Sequence, residues 1–252
     1  MIINPQKEPF TALAEVYKIG GLAAYSLQLA AQLLDFLYDR GWTGSRMLDL
    51  ATGTGEVPCW FATQRVRAVG VDSSAAMLKH ARQQAAAQEL AATFVQADIR
   101  TYRADSPADL VLCIGGSLNY LPSLNDLGAV FRAAAAACVQ GKPFIFDLHT
   151  IRGLARTPAE RILSEGEHHF IATRNAFSYE TLSLSTRYTI FHYTAGWQRA
   201  EETHTLRGYP VQAVQRMLEG AGFALEQTLT LEFAPITATT DSDILLFVAR
   251  RT

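Results

Sequence analysis

The stretch that decides the fold is Met47-Leu48-Asp49-Leu50-Ala51-Thr52-Gly53-Thr54-Gly55-Glu56-Val57-Pro58. It has the pattern of a buried strand that ends in an acidic residue, a turn that contains glycines, and the start of a helix. Glycines in such a turn permit positive φ angles and let the backbone approach a ligand closely. The first N–H groups of the helix lack partners within it and carry partial positive charge. The stretch therefore predicts a binding site for an adenosyl group or a phosphate.

Short apolar runs alternate with helical segments on both sides of this turn. An amphipathic helix over 22–38 precedes it, and helical periodicity or an alanine-rich composition marks 57–64, 75–87 and 127–139. Strand, helix and strand in succession predict parallel pairing with right-handed crossovers, and hence an α/β, doubly wound, Rossmann-like sheet of seven strands. The predicted strands are 47–50, 68–71, 93–95, 110–114, 144–146, 225–233 and 244–249.

The pattern changes after Thr150. Residues 167–209 are rich in Thr, Tyr, Phe and His and alternate polar with apolar side chains, which predicts two to four antiparallel strands. Pro210 then opens a helix that ends near Gly220. We therefore expect an N-terminal helical cap, a cofactor-binding core and an antiparallel insertion that serves as a substrate lid or an oligomer surface. The expected boundaries are 1–45 for the cap, 46–150 with 208–252 for the core, and 151–207 for the insertion.

The turn itself separates two kinds of ligand. A dinucleotide fingerprint requires a third glycine, but Pro58 stands at that position. Asp49 would repel a pyrophosphate, whereas its carboxylate could hold a cationic α-amino group. An aminoacyl nucleoside therefore fits better than NAD(P). An NAD(P)-dependent oxidoreductase and a non-catalytic adenosyl-binding protein remain as alternatives.

Two further strands end in acidic residues. Asp72 closes the second strand, where a carboxylate can accept hydrogen bonds from both ribose hydroxyls. Ser73 or Ser74 can cap the next helix, which places Met77 one turn in, where it could cover an adenine face. Asp98 follows the third strand and could accept from an adenine amino group. An acid at the end of each of three successive strands predicts one pocket.

Five motifs in order resemble a class I S-adenosylmethionine-dependent methyltransferase. They are DLATGTG at 49–55, GVD at 70–72, QAD at 96–98, DLVLCIGGSLNYL at 109–121 and FIFDLHT at 144–150. GYPVQAVQRMLEGAGF at 208–223 is similar to the late helix of that family. The insertion and the SLNYL run resemble the small-molecule branch, which includes glycine, sarcosine and amino-sugar N-methyltransferases.

The resemblance implies S-adenosyl-L-methionine as cofactor and S-adenosyl-L-homocysteine as product. The histidines of the insertion lack an H-E-x-x-H or carboxylate spacing, so we expect no metal. The resemblance also implies that Asp49, Ala51 and Gly53 surround the methionine part and that Asp72 holds the ribose. Gly55 and Ser73 are also expected to contact the cofactor. Further cofactor contacts implied by position are Met77, Asp98, Ile99, Ile114, Gly115 and the cap residues Tyr17 and Tyr25. Ala51 stands where many members have glycine, and we expect its methyl group to require a negative φ. Lys18 replaces an acid that is common beside Tyr17.

Methyl transfer from a sulfonium depends mainly on positioning in a dry pocket. An ammonium or hydroxyl acceptor must first lose a proton, and His149, after the fifth strand, is the predicted base. Asn119, Tyr120 and Tyr209 are candidates for the substrate side, although core packing also explains Tyr120. Glu56 is expected to be a helix-surface charge.

The amino-acid composition and net charge restrict the kinds of binding partner that we expect. The chain has 252 residues, is 49% hydrophobic and carries a formal net charge of −2, so it can build a large core and offers no global positive field for nucleic acid or an anionic membrane. Three cysteines without CxxC spacing predict buried thiols in a reducing cytoplasm. We expect a cytoplasmic enzyme that acts on a small molecule, without nucleic-acid or membrane partners, with a homodimer as a further possibility.

Overall fold

The computed structural model describes residues 7–237 and 240–252. Residues 1–6 of the predicted cap lie outside this range. The cap contains α1 (Leu13–Tyr17) and α2 (Ala24–Tyr38), close to the helix expected from residue 22. No helix in the described part of the chain is long and apolar enough to cross a membrane.

A seven-stranded sheet forms the core, as predicted. Helices connect its first five strands, except that a loop joins the third to the fourth, and all five pair in parallel because each crossover returns the chain to the same edge. These elements are β1 (Arg46–Leu50), α3 (Glu56–Thr63), β2 (Arg67–Asp72), α4 (Ala75–Ala87), β3 (Ala92–Gln96), β4 (Leu110–Cys113), a 3₁₀ turn (Ser117–Tyr120), α5 (Leu124–Ala137) and β5 (Pro143–His149).

The chain then leaves this sheet and builds a second one. After α6 (Ile151–Ala155), four consecutive antiparallel strands follow: β6 (Glu160–Gly166), β7 (His169–Ser178), β8 (Ser183–Tyr193) and β9 (Trp197–Arg207). The antiparallel insertion is therefore present and reaches the upper limit of the predicted strand number. The first of its strands begins seven residues before the predicted block at 167.

The last elements complete the first sheet. They are α7 (Val211–Gly220), β10 (Phe223–Leu229) and β11 (Ile244–Arg251), and β11 runs antiparallel to both of its neighbours. The strand order is β10-β11-β5-β4-β1-β2-β3, so the order reverses at β1 and β4. Ligands of open α/β sheets bind outside the carboxyl ends of strands at such a reversal.

Apolar side chains cover both faces of the seven-stranded sheet. One cluster packs α5 and α7 against it through residues such as Phe131, Phe146 and Leu218, and a second packs α2 and α3 through residues such as Leu33 and Phe61. A third, smaller cluster joins α1 to the antiparallel sheet. The cysteines are free and buried. Packing on both faces leaves the carboxyl ends of the strands as the surface from which a site can be built.

Candidate cofactor and acceptor site

A narrow cavity lies at the carboxyl ends of β1 and β4, where the strand order reverses. It contains space for about 40 Å³ of water. The lining includes the turn after β1, the first residues of α3, the loop after β4 and part of the cap: Tyr17, Ala23, Ser26, Asp49, Ala51, Thr52, Gly53, Thr54, Glu56, Val57, Ile114, Gly115 and Ser117. Five predicted cofactor positions around the turn and the β4 loop thus meet in one cavity, together with the predicted cap residue Tyr17.

Asp49 is the acidic residue of β1 that faces this cavity. It is buried, and the Thr52 hydroxyl donates a hydrogen bond of 2.6 Å to its Oδ2. Burial raises the pKa of Asp49 to about 7, and the nearby negative charges of Asp72 and Glu56 add to this, while the Thr52 hydrogen bond opposes it. Because burial makes the ionised form of Asp49 unfavourable, a bound cation would stabilise that form.

Glu56 was expected on the helix surface, and that prediction is wrong. Its side chain is buried and lines the cavity at the start of α3, directly after Gly55. The Thr54 hydroxyl donates 2.6 Å to Glu56 Oε2, while Oε1 has no hydrogen-bond partner among the described residues. An unpartnered buried carboxylate oxygen is costly, so this atom is available to a ligand donor.

The turn between β1 and α3 adopts left-handed backbone conformations. Gly53 and Gly55 have φ angles of 56° and 81°, as the glycine pattern implies. Ala51 has φ 59°, so the expectation of a negative φ at this residue is wrong. A single alanine can occupy this region at a cost of about 1 kcal/mol, because its Cβ approaches the backbone carbonyl. The hydrogen bond from Thr52 N to Val71 O, 3.0 Å long, holds the next residue in place.

Asp72 ties this turn to the next strand. Its Oδ2 accepts from Gly53 N and its Oδ1 from Ser74 N, each at 2.8 Å. Burial raises its pKa, and these backbone hydrogen bonds oppose the rise. Each oxygen retains a second lone pair, so the predicted ribose contacts stay chemically open. Ser74, rather than Ser73, caps α4 by accepting from Met77 N.

Asp98 forms contacts that the sequence did not reveal. Both of its oxygens accept from the Arg100 guanidinium, and Arg100 also donates to Asp126. The Arg100 hydrogen bond lowers the pKa of Asp98. Neither Asp98 nor the adjacent Ile99 is among the cavity-lining residues. Their contacts with adenine stay a prediction. Asp98 would have to accept a hydrogen bond from the adenine amino group while it also accepts from Arg100.

The cap is fastened to the sheet through Asp147. The Tyr25 hydroxyl donates to Asp147 Oδ2 at 2.6 Å, and the same carboxylate accepts from Gly115 N and Gly116 N. Burial of Tyr25 and the negative charge of Asp147 raise the pKa of Tyr25, so its phenol stays neutral. Tyr25 thereby holds α2 against the loop after β4.

The predicted substrate-side residues are distributed over different environments. Asn119 is fully buried and bridges three backbone groups: it donates to His149 O and Arg207 O and accepts from His149 N. Tyr209 is buried, and its hydroxyl donates to the carbonyl of Leu121. Both therefore have structural contacts outside the cavity lining.

His149 lies beside the loop after β4. A Cβ built on Gly116 would come within 2.6 Å of His149 Cδ2, which shows how closely the ring packs on that backbone. Burial lowers the pKa of His149, although the negative charge of Asp147 opposes this. The ring is therefore neutral near pH 7, as a base must be, and its catalytic role stays a prediction.

A larger concavity of about 580 Å³ lies on the outer face of the antiparallel sheet. Three of its arginines are paired with glutamates: Arg174 forms an exposed pair with Glu160, while Arg187 and Arg199 both pair with the half-buried Glu201. Exposed pairs of this kind are weak and offer no enclosed surface. The candidate functional site is therefore the smaller cavity, which contains the buried carboxylates of Asp49 and Glu56.

Comparison with known proteins agrees with this geometry. The sequence profile of a family described as "Methyltransferase domain" matches residues 47–141. A Bacillus subtilis protein named "Putative methyltransferase YqeM" is 28% identical over 209 residues, which cover 82% of this chain and 84% of that protein. Residues 47–141 therefore form a methyltransferase domain. The fold and enzyme class expected from the motifs are thereby confirmed.

Solved structures share the fold of this methyltransferase. An S-adenosylmethionine-dependent methyltransferase from Clostridium acetobutylicum superimposes with a TM-score of 0.78 at 20% identity, covering 88% of this chain and 90% of that one. CalS10 from Micromonospora echinaspora, an amino pentose methyltransferase, gives a TM-score of 0.68 at 20% identity, covering 91% and 95%. Each of these alignments covers most of both chains.

Proposed function

We propose that this methyltransferase transfers a methyl group from S-adenosyl-L-methionine to a nitrogen or oxygen of a small-molecule acceptor. The observation that carries the proposal is the pair of buried carboxylates, Asp49 and Glu56, in the cavity at the carboxyl ends of β1 and β4. Two acids in a narrow hollow favour a cationic ligand and disfavour the pyrophosphate of NAD(P).

The residues present suit this cofactor. Asp49 and the unpartnered Glu56 Oε1 would accept hydrogen bonds from its α-ammonium group, and Gly115, with φ 93°, brings backbone to the cavity wall. Asp72 would hold the ribose, and Met77 would cover the adenine. When bound, S-adenosyl-L-methionine supplies a methyl group on a positively charged sulfur. Burial of the cavity excludes water and favours a transfer that neutralises this charge.

Ligand entry requires movement of the cap. Small-molecule sites usually enclose at least about 300 Å³, whereas this cavity holds space for about 40 Å³ of water. Tyr17, Ala23 and Ser26 from the cap form one wall. Displacement of this wall is the simplest way to admit an adenosyl ligand, and its return would exclude solvent.

The proposal of a small-molecule acceptor is based on the antiparallel insertion, which resembles that of the small-molecule branch of the methyltransferases. CalS10, which shares the fold, is described as an amino pentose methyltransferase bound to S-adenosylmethionine. An amine or hydroxyl acceptor of similar size fits the proposal. A cytoplasmic location, a homodimer, and the absence of metal and nucleic acid stay predictions.

Isothermal titration with S-adenosyl-L-methionine, S-adenosyl-L-homocysteine and NADH tests the cofactor. We expect binding of the first two and none of NADH. Lys79→Ala, an exposed change on α4, is the matched control and should leave these affinities unchanged. Tight binding of NADH without binding of either adenosyl ligand would refute the proposal.

A further inference from the structure

A chain of three hydrogen-bonded side chains lies behind the 3₁₀ turn. Glu202 and His204 occupy alternate positions of β9, so they share one face of the strand, and both are fully buried. His204 Nε2 is 2.9 Å from Glu202 Oε2, and His204 Nδ1 is 3.0 Å from the Tyr120 hydroxyl. Sequence analysis predicted neither Glu202 nor His204 as a site residue.

Glu202 is ionised in this arrangement. Its carboxylate accepts from the backbone N–H groups of Phe10, Thr11, Ala12 and Leu13. Burial raises the pKa of Glu202, but the hydrogen bonds from His204 and from this backbone outweigh it and leave the pKa below the ordinary value. The same bonds attach the start of the cap to β9.

The charge on Glu202 fixes the direction of the other two hydrogen bonds. An ionised carboxylate only accepts, so His204 Nε2 must donate to it. In the neutral ring Nδ1 is then an acceptor, and the Tyr120 hydroxyl donates to that atom. The hydroxyl hydrogen is thus committed to His204, and the lone pairs of the Tyr120 oxygen are left to accept a proton from another group.

Tyr120 is connected to the cavity through its own turn and through its interaction with Tyr17. It ends the 3₁₀ turn whose first residue, Ser117, lines the cavity, and Tyr17, another lining residue, is close enough to influence its titration. Burial raises the pKa of the Tyr120 phenol, and Tyr188 also interacts with it electrostatically, since the negative form of Tyr188 would raise that pKa further.

The groups around Tyr120 and His204 are aromatic or anionic. The Phe10 ring lies 5.1 Å from Tyr120 and 4.7 Å from His204, and the Tyr188 ring lies 4.5 Å from His204. The titratable groups that face this chain are Tyr17, Tyr188 and Glu202. Aromatic faces and a buried carboxylate attract cations, so this region suits a protonated amine better than an anion.

We propose that Tyr120 takes a proton from an ammonium acceptor, with His204 and Glu202 as the pair that positions and receives it. The inference rests on the proposed methyl transfer and narrows its acceptor to a protonated amine. An N–H bond of the ammonium breaks as its proton passes to the Tyr120 oxygen, and the Tyr120 hydrogen passes to His204 Nδ1. The resulting imidazolium is stabilised by Glu202, and the neutral amine keeps the electron pair that forms the new N–C bond. The methyl–sulfur bond breaks with its electrons left on sulfur, and the imidazolium later returns its proton to water.

Sinefungin provides a probe that does not require the natural acceptor, because it carries an amine where S-adenosyl-L-methionine carries its methylated sulfur. We would measure its affinity and that of S-adenosyl-L-homocysteine by calorimetry at pH 7. The wild-type enzyme should bind sinefungin more tightly. Tyr120→Phe should reduce the sinefungin affinity about tenfold or more through loss of a hydrogen bond to a charged group, with little change for S-adenosyl-L-homocysteine.

His204→Gln tests the positioning pair. The glutamine amide can still donate to Glu202, but its flexible side chain does not hold an acceptor rigidly at the position of Nδ1, so the Tyr120 hydrogen can turn toward the ligand and oppose its ammonium. Sinefungin affinity should again fall while S-adenosyl-L-homocysteine affinity persists, a selective change that a general loss of structure would not produce. Tyr179→Phe, an exposed change in the β7–β8 connection, is the control and should alter neither affinity.

The outcomes separate the two proposals. Failure of the wild-type enzyme to bind either adenosyl ligand would overturn the proposed function and this inference with it. Normal binding with an unchanged ratio of the two affinities in Tyr120→Phe would overturn the inference alone. Equal losses for both ligands in a variant that melts at the wild-type temperature would also overturn it. If His204→Gln does not fold, Tyr120→Phe decides.

Discussion

Protonation of Asp49 should control cofactor affinity below neutral pH. The pKa of this buried carboxyl is raised to about 7, and an α-ammonium group binds well only to the ionised form. The ionised fraction is about three quarters at pH 7.5 and about 3% at pH 5.5, so affinity should fall about 25-fold, or about 2 kcal/mol. S-adenosyl-L-homocysteine is the suitable ligand, because it has the α-amino group without the sulfonium charge.

Asp49→Asn separates this effect from other titrations. The variant keeps the size of the side chain but cannot ionise, so its affinity should be low at pH 7.5 and should change much less between pH 7.5 and 5.5. Calorimetry at several pH values checks both. A wild-type affinity that varies less than about threefold, or an equally steep profile in the variant, would refute the assignment of the ammonium to Asp49.

The same substitution should stabilise the ligand-free protein. The folded pKa of Asp49, about 7, exceeds its ordinary value of 3.8, so the folded state holds this proton more tightly than the unfolded chain. The contribution of Asp49 to stability is therefore greatest below about pH 4 and is lost as the pH rises through 7. At pH 7.5, Asp49→Asn should raise the free energy of unfolding by up to about 4 kcal/mol. Equal or lower stability in urea titrations would contradict the cause given for the raised pKa.

Three further substitutions test the site and its support. Asp72→Ala should weaken cofactor binding by about 1 to 3 kcal/mol through lost charge-assisted hydrogen bonds, and an unchanged dissociation constant would place the ribose elsewhere. His149→Ala should lower turnover while cofactor affinity persists, and unaltered turnover from roughly pH 6 to 9 would remove His149 from the reaction. Gly55→Ala should lower unfolding free energy by about 2 kcal/mol or more, since the added Cβ would lie 2.6 Å from that of Ala81. Gly21→Ala, at φ 69° with open space around it, should cost about 1 kcal/mol, and equal losses in both would show that backbone strain alone matters.

The parallel sheet was predictable because each strand is a short apolar run bounded by a turn or a helix. The strands before and after the glycine turn, β1 and β2, extend the predicted runs 47–50 and 68–71 by one or two residues. Predicted helix boundaries in the cap and after Pro210 are similarly close. Local pattern carries this information, since burial on both faces requires nearly continuous apolar residues.

Orientations that depend on distant contacts were less predictable. Glu56 has the sequence context of an exposed residue in the first turn of a helix, and only the packing of the cap and the loop after β4 encloses it. For Ala51, the glycine that many family members carry at this position was a sign of the positive φ, but the alanine side chain led to the opposite expectation. Spacing of Glu202 and His204 at i and i+2 could have placed both on one strand face, but the backbone N–H groups that bind Glu202 lie about 190 residues earlier in the chain.

The two acidic sites of this enzyme differ in how their charge is balanced, and the difference bears on how the cap works. Glu202 has its charge satisfied within the protein, by backbone N–H groups from the cap and by His204, so it needs no ligand to remain ionised. Asp49 and Glu56 have one neutral hydroxyl partner each, and repulsion between them is relieved either by a proton on Asp49 or by a bound cation. Cofactor binding should therefore release electrostatic strain beneath the cap, while Glu202 holds the start of the cap near its closed position. The cap is attached through Glu202, whose charge is balanced within the protein, and it covers Asp49 and Glu56, which have no cationic partner among the described residues. This arrangement would favour the closed position of the cap when the cofactor is bound.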